Sequence, residues 1–157
     1  MSIEIAGMAH VQLTVNDLTR AKEFYEKVLG YLGMRPAMKF PGGLYMVGGK
    51  TAVMIMQSSA ENREVRFDQR RIGLHHLCFR ARSREDIEEL HGFLVREGVK
   101  IVHAPEEGPW APGYYSVLFE DPDGIRLEVN FVPGKGLFEA SAKLPLAEFA
   151  GSGRSGP

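Results

Sequence analysis

The chain is written twice. Sliding the sequence against itself by 66 residues lays His10 on His76, Leu13 on Phe79 and Asp17 on Ser83. The same offset lays Ala21 on Ile87, Phe24 on Leu90 and Val28 on Leu94, and Gly33 falls one residue from Gly98. A chain that repeats itself over this length is expected to fold as two copies of one supersecondary unit, with like residues in like places. Each half opens on a short β-rich stretch, reaches a helix cap seven residues after its histidine, and runs a helix to a glycine stop.

In the first copy, residues 8–15 alternate and predict a strand. Asn16 or Asp17 caps the next element. Leu18, Ala21, Phe24, Tyr25, Val28, Leu29 and Leu32 recur at helical spacing, and Gly30 and Gly33 end that helix. Strands over 34–40, 44–48 and 51–57 follow, separated by turns at Pro41-Gly-Gly and Gly48-Gly-Lys. The second copy keeps the order. Residues 74–81 predict a strand, and Ser83 an N-cap with Asp86 at the capping-box position. Ile87, Leu90, Leu94 and Val95 give the helix its apolar face, and Gly98 closes it. Strands over 99–103, 114–120 and 125–132 complete the copy. The last two are joined by Asp121-Pro-Asp-Gly, where Pro presets φ and Gly takes a positive one. The order in each copy is therefore β-α-β-β-β, an α+β fold. Residues 8–57 form the first module, 58–73 a polar linker and 74–132 the second module. Residues 133–157 form a tail, whose Leu137-Phe138 and Leu144–Phe149 stretches can lie on a neighbouring surface.

Bulk properties narrow the function. Acidic and basic residues nearly cancel, 20 against 19, and no basic stretch alternates with exposed aromatics, so no nucleic-acid partner is expected. The N-terminus lacks the pattern of a signal peptide, and no segment approaches the ~20 apolar residues that cross a bilayer. No membrane association is expected. Cys78 is the only cysteine, so an intrachain disulfide is impossible and a reducing cytoplasm fits best. A metal site would then be built from His, Asp and Glu.

Two histidines on equivalent first strands can converge if the copies pack symmetrically. Glu128 lies in Ile125-Arg-Leu-Glu-Val-Asn-Phe, where alternation puts it on one face with Arg126 and Asn130. A carboxylate within an apolar strand is costly unless it is paired or binds a cation. Two His and a carboxylate with open positions suit divalent ions. Each residue taken alone has a plainer reading: His10 and His76 as packed or surface histidines, and Glu128 as an exposed strand residue. The joint pattern favours the metal. Cys78 reads as a small buried residue. His75 points away from His76 by alternation and is an alternative ligand. His91 and His103 read as structural, and Arg80 and Arg126 as possible anion contacts or solvated charges.

Ala9-His-Val-Gln-Leu-Thr-Val, Ala21-Lys-Glu-Phe-Tyr-Glu-Lys-Val-Leu-Gly, Gly73-Leu-His-His-Leu-Cys-Phe-Arg and Glu120-Asp-Pro-Asp-Gly-Ile-Arg-Leu-Glu together resemble the vicinal oxygen chelate superfamily. That group holds glyoxalase I, extradiol dioxygenases, fosfomycin-resistance proteins, methylmalonyl-CoA epimerase and bleomycin-resistance proteins. The resemblance covers about residues 8–132. It implies tandem βαβββ modules forming a cup-shaped, mostly antiparallel mixed sheet, and a homodimer. It implies one divalent metal (Fe, Mn, Ni, Zn or Co) in the slots held here by His10, His76 and Glu128. It implies that this metal chelates two adjacent oxygens of a small-molecule substrate.

The implied activity is that of a glyoxalase-like lyase or isomerase, or of a dioxygenase. The alternatives are a metal-dependent transferase of the fosfomycin-resistance type and a metal-free binding protein of the bleomycin-resistance type. Departures matter. Ile55 stands where glyoxalase I carries a fourth ligand, and Gln57 or water is then the candidate to complete the metal shell. Leu118 stands where dioxygenases and fosfomycin transferases carry a Tyr. Candidate catalytic groups beside Glu128 are Gln12, on the His10 face of the first strand, and Tyr115 or its neighbour Tyr114. Cup-wall packing and a strand-entry aromatic are the plainer readings of these groups.

Overall fold

The computed structural model describes residues 5–134, so the tail stretches beyond 134 lie outside it. Eight strands and two helices follow in order: β1 (Val11–Val15), α1 (Leu18–Tyr31), β2 (Arg35–Phe40), β3 (Gly43–Gly48), β4 (Thr51–Gln57), β5 (Leu77–Arg80), α2 (Arg84–Arg96), β6 (Lys100–Glu107), β7 (Tyr115–Glu120) and β8 (Arg126–Phe131). Each copy yields one four-stranded sheet, with orders β1-β4-β3-β2 and β5-β8-β7-β6. The two orders are the same once the copies are superposed in sequence, as the repeat predicts. In both, the first strand pairs in parallel with the last of its copy: Val11 with Val53 through Val15 with Gln57, and Leu77 with Leu127 through Arg80 with Asn130. In the first sheet, β2–β3 and β3–β4 run antiparallel. The architecture is α+β with two mixed sheets.

The helices begin and end where local chemistry puts them. Asp17 Oδ1 accepts from Thr19 N at 2.9 Å and Arg20 N at 3.1 Å, filling two of the donors a helix start leaves open. In α2, Ser83 Oγ accepts from Asp86 N at 3.1 Å while Asp86 Oδ2 accepts from Ser83 N at 3.0 Å, so aspartate does close the capping box. Both helices stop alike. Gly33 (φ +80°) and Gly98 (φ +68°) take the left-handed conformation. Met34 N then bonds Leu29 O, and Val99 N bonds Leu94 O, both at 2.9 Å.

The chain forms two compact units. The first comprises the described residues up to His75 together with Glu120–Arg126; the second comprises His76–Phe119 and the described residues from Leu127 onward. The core of the first is Leu13, Val15, Leu18, Ala21, Tyr25, Val28, Leu29, Leu44, Met46, Val53 and Ile55, where α1 lies on its sheet. That of the second is Leu77, Ile87, Leu90, Phe93, Leu94, Val117, Phe119, Leu127 and Val129, with α2 against β6.

The β7–β8 turn belongs to the first unit, although it joins two strands of the second copy. Asn16 N donates to Asp123 Oδ2 at 2.7 Å, Phe67 N to Asp123 O at 3.2 Å, and Arg66 Nη2 to Glu120 Oε2 at 3.0 Å. The turn has the expected form: Gly124 N bonds Asp121 O at 3.1 Å, with Gly124 at φ +88°. The 58–73 stretch also belongs to this unit and carries a single 3-10 turn at Ala60–Asn62.

The first strands are shorter than alternation predicts. Strand pairing starts at Val11 and Leu77 rather than at 8 and 74, so His10 and His76 each stand one residue before a strand. Their equivalence survives the correction.

Candidate functional site

The chemistry of the second unit gathers around Glu128. Its neighbours in β8, Leu127 and Val129, are buried, and Glu128 itself is only 7% exposed. Parallel pairing of β5 with β8 sets Cys78 level with Glu128. The chain just ahead of β5 then carries His76 to the same carboxylate, with His76 Nε2 3.0 Å from Glu128 Oε2. On the carboxylate's other oxygen, the Tyr114 hydroxyl donates to Oε1 at 2.5 Å. Burial would raise the Glu128 carboxyl, but bonds from His76, Tyr114 and Ser116 and the His76 charge outweigh it. They hold the group down at about 2. It is therefore a carboxylate at neutral pH. Burial of the phenol and its bond to Glu128 raise the Tyr114 hydroxyl, which keeps its proton. Burial of the sulfur end, then the Glu128 charge, push the Cys78 thiol up to about 12, although the residue retains exposed surface.

His76, and not His75, meets Glu128; His75 is exposed. Tyr115 does not sit at Glu128. Its hydroxyl donates to Glu88 of α2, and Arg84 stacks 4.0 Å over its ring. Tyr114 takes the position expected of Tyr115. Alternation explains the swap, and the parity was readable: Tyr115 shares a face with the apolar Val117 and Phe119. Ser116, on the face of Tyr114, was missed; a lone serine in an apolar strand carries little signal.

In the first unit, His10 is exposed, and its ring stands edge-on to Tyr45, with centroids 6.2 Å apart. Gln12 is exposed on β1, level with Met54 of β4. Gln57 is spent on the fold. Its Oε1 accepts from Leu18 N at 3.1 Å, and its Nε2 donates to Asn16 O at 2.5 Å. With Asp17 it completes the start of α1. Arg126 Nε lies 3.8 Å from Glu120 Oε1, and Arg80 is exposed. A cleft of about 310 Å³ in this unit is lined by residues including Asn16, Asn62, Arg66, Arg71 and Asp123. None of His10, Gln12, His76 or Glu128 lines it.

Among the described residues, no three His, Cys, Asp or Glu side chains are gathered as a metal-holding group. The second unit supplies a pair. That pair suits a divalent cation chemically: one imidazole nitrogen and one ionised carboxylate oxygen meet, and the carboxylate is largely withdrawn from water. Among the described residues no helix is long and apolar enough to cross a membrane.

The profile of the Glyoxalase/Bleomycin resistance protein/Dioxygenase superfamily matches residues 7–129. An uncharacterized protein of Bacillus subtilis is 29% identical over 124 residues, covering 78% of this chain and 96% of its own. A virulence protein of Salmonella typhimurium is 28% identical over 127 residues, covering 77% of this chain and 81% of its own. The crystal structure of a candidate glyoxalase from Bacillus halodurans aligns with a TM-score of 0.72 at 31% identity, over 81% of this chain and 96% of that one. A lactoylglutathione lyase from Agrobacterium tumefaciens shares the fold, with a TM-score of 0.63 at 22% identity, over 82% of this chain and 95% of that one.

Proposed function

The chain belongs to the Glyoxalase/Bleomycin resistance protein/Dioxygenase superfamily, and from that premise we propose that it is a divalent-metal-dependent enzyme acting on a small substrate with two neighbouring oxygens. Its ligands are His10, His76 and Glu128. The observation that carries this reading is the His76–Glu128 pair, 3.0 Å apart on a buried carboxylate. A buried ionised carboxylate is costly alone. Here it is ionised in place and offers its charge to a cation, while His76 offers a nitrogen beside it.

His10, His76 and Glu128 would hold a divalent ion, which would supply Lewis-acid charge to a substrate oxygen. The protein's own part is preorganisation. Glu128 is held ionised without solvent having to reorient, which makes its charge count for more than it would in water. We place the reaction with the glyoxalase-like lyases and isomerases. Leu118 leaves the ring-cleaving members' Tyr position without a hydroxyl. The protein acts in the cytoplasm as a homodimer.

The test is metal content followed by turnover. Protein purified without chelators is expected to hold about one transition-metal ion per chain. After loading it should convert the hemithioacetal of a 2-oxoaldehyde and a thiol, with no oxygen uptake on catechols. Oxygen uptake on catechols would move the reading to the dioxygenases. Thiol addition to an epoxide would move it to the fosfomycin-type transferases. Protein that takes up no ion but binds small molecules would be of the bleomycin-sequestering kind.

A further inference from the structure

Each oxygen of Glu128 has a close neighbour, and Ser116 also bonds the carboxylate. Oε2 faces His76 Nε2 at 3.0 Å, and Oε1 accepts the Tyr114 hydroxyl at 2.5 Å. Tyr114 stands just ahead of β7, at the end of the segment Gly108-Pro-Trp-Ala-Pro-Gly-Tyr, and that segment is closed on itself. Tyr114 N bonds Ala111 O at 3.0 Å, and Gly108 N bonds Tyr114 O at 3.1 Å. Ala111, Tyr114 and Val132 form a buried apolar cluster.

Two glycines let this loop pack as it does. A Cβ on Gly108 would stand 2.8 Å from Trp110 Cδ1 and 3.0 Å from Tyr114 Cδ1. Gly113 has φ +71°, and a Cβ there would stand 2.8 Å from Pro133 Cγ. Both rings therefore close over Gly108, and the loop delivers one hydroxyl to one carboxylate oxygen.

We infer that Tyr114 is a positioning residue for metal binding: it occupies Glu128 Oε1 and so fixes the carboxylate with the single oxygen Oε2 presented beside His76. The inference rests on the reading of His76 and Glu128 as ligands. Partners of this kind orient a ligating carboxylate, and losing one typically costs ~10–100-fold in metal affinity. Without the phenol, Oε1 loses its 2.5 Å donor, and the bond from Ser116 alone does not keep Oε2 set beside His76. Trp110 is the chain's only tryptophan. Because its ring and that of Tyr114 both pack over Gly108, its fluorescence reports on the loop.

The test is titration of the full chain with Co(II), read by cobalt absorption and by Trp110 emission. Four proteins are compared: wild type, Tyr114→Phe, Gly108→Ala and Glu128→Ala. Tyr114→Phe should bind Co(II) ~10–100-fold more weakly, with an altered cobalt spectrum. It should also lose the Trp110 response to metal. Gly108→Ala keeps the phenol but displaces the loop, and should weaken binding in the same direction. It serves if Tyr114→Phe fails to fold. Glu128→Ala should abolish binding. Wild-type affinity and spectrum in Tyr114→Phe, or wild-type affinity in Gly108→Ala if that is the variant that folds, would overturn the inference while leaving the ligand reading intact. Wild-type affinity in Glu128→Ala would overturn both.

Discussion

The phenol of Tyr25 donates a 2.8 Å hydrogen bond to Asp121 Oδ2, 96 positions further along the chain and inside the same compact unit. Both residues are buried, and Asp121 Oδ1 meanwhile accepts from Asp123 N and Ile125 N, each at 2.8 Å. One carboxylate thus shapes its own turn and holds that turn to α1. Tyr25→Phe should cost about 1–3 kcal/mol, since it strips a donor from a buried acceptor. Urea denaturation of the variant and wild type measures it.

The same carboxylate gives stability a pH dependence of definite sign. Burial raises the Asp121 carboxyl from 3.8 to about 6, against the lowering effect of its bonds to Tyr25 and the turn amides. Between those pH values the folded chain holds a proton that the unfolded chain has released. The contribution of Asp121 is therefore fully present below pH 3.8 and is lost as pH rises through 6. Asp121→Asn should flatten that slope. Its stability relative to wild type should rise between pH 4 and pH 6.5, by at most about 3 kcal/mol. Melts across that range decide it.

Glu128 acts with the opposite sign. Its folded value is held at about 2 against 4.5 for a free glutamate. Its contribution is present above pH 4.5 and is lost as pH falls through 2. Glu128→Gln should be less stable than wild type near neutral pH, and the gap should close as acid is added. Thermal melts of metal-free protein between pH 5 and pH 2 test this. A gap that stayed constant would mean that the carboxylate is not held ionised by its neighbours.

Gln57 separates a fold role from a ligand role. Gln57→Ala leaves Leu18 N and Asn16 O without their side-chain partner and should cost about 1–2 kcal/mol. Metal affinity should not change. A large loss of metal binding at unchanged stability would return Gln57 to the metal shell.

Much of the fold was legible because the repeat makes each half a check on the other. Ser83 as a cap, Gly33 and Gly98 as stops, and Asp121-Pro-Asp-Gly as a turn all follow from local chemistry and stand in the structure, and of Asn16 and Asp17 it is Asp17 that caps α1. What escaped depends on partners distant in sequence. Nothing local tells that Glu120–Arg126 packs with the first unit, because its contacts to Asn16, Tyr25 and Arg66 come from far along the chain. Gln57 looked free to reach inward because the open amides of α1 lie 39 residues away. The choice between Tyr114 and Tyr115 was open to reasoning, since adjacent residues at a strand entry face opposite ways. The residues led to the expectation of His10, His76 and Glu128 together; the structure sets His76 beside Glu128, and the role of all three as ligands is a proposal.

The most direct test of the metal reading is anomalous scattering from crystals of the protein loaded with Co(II) or Zn(II). One strong peak per chain is expected, with His76 Nε2, Glu128 Oε2 and a nitrogen of His10 each within about 2.0–2.2 Å of it. A peak elsewhere, or one from which any of the three side chains is absent, would contradict that reading.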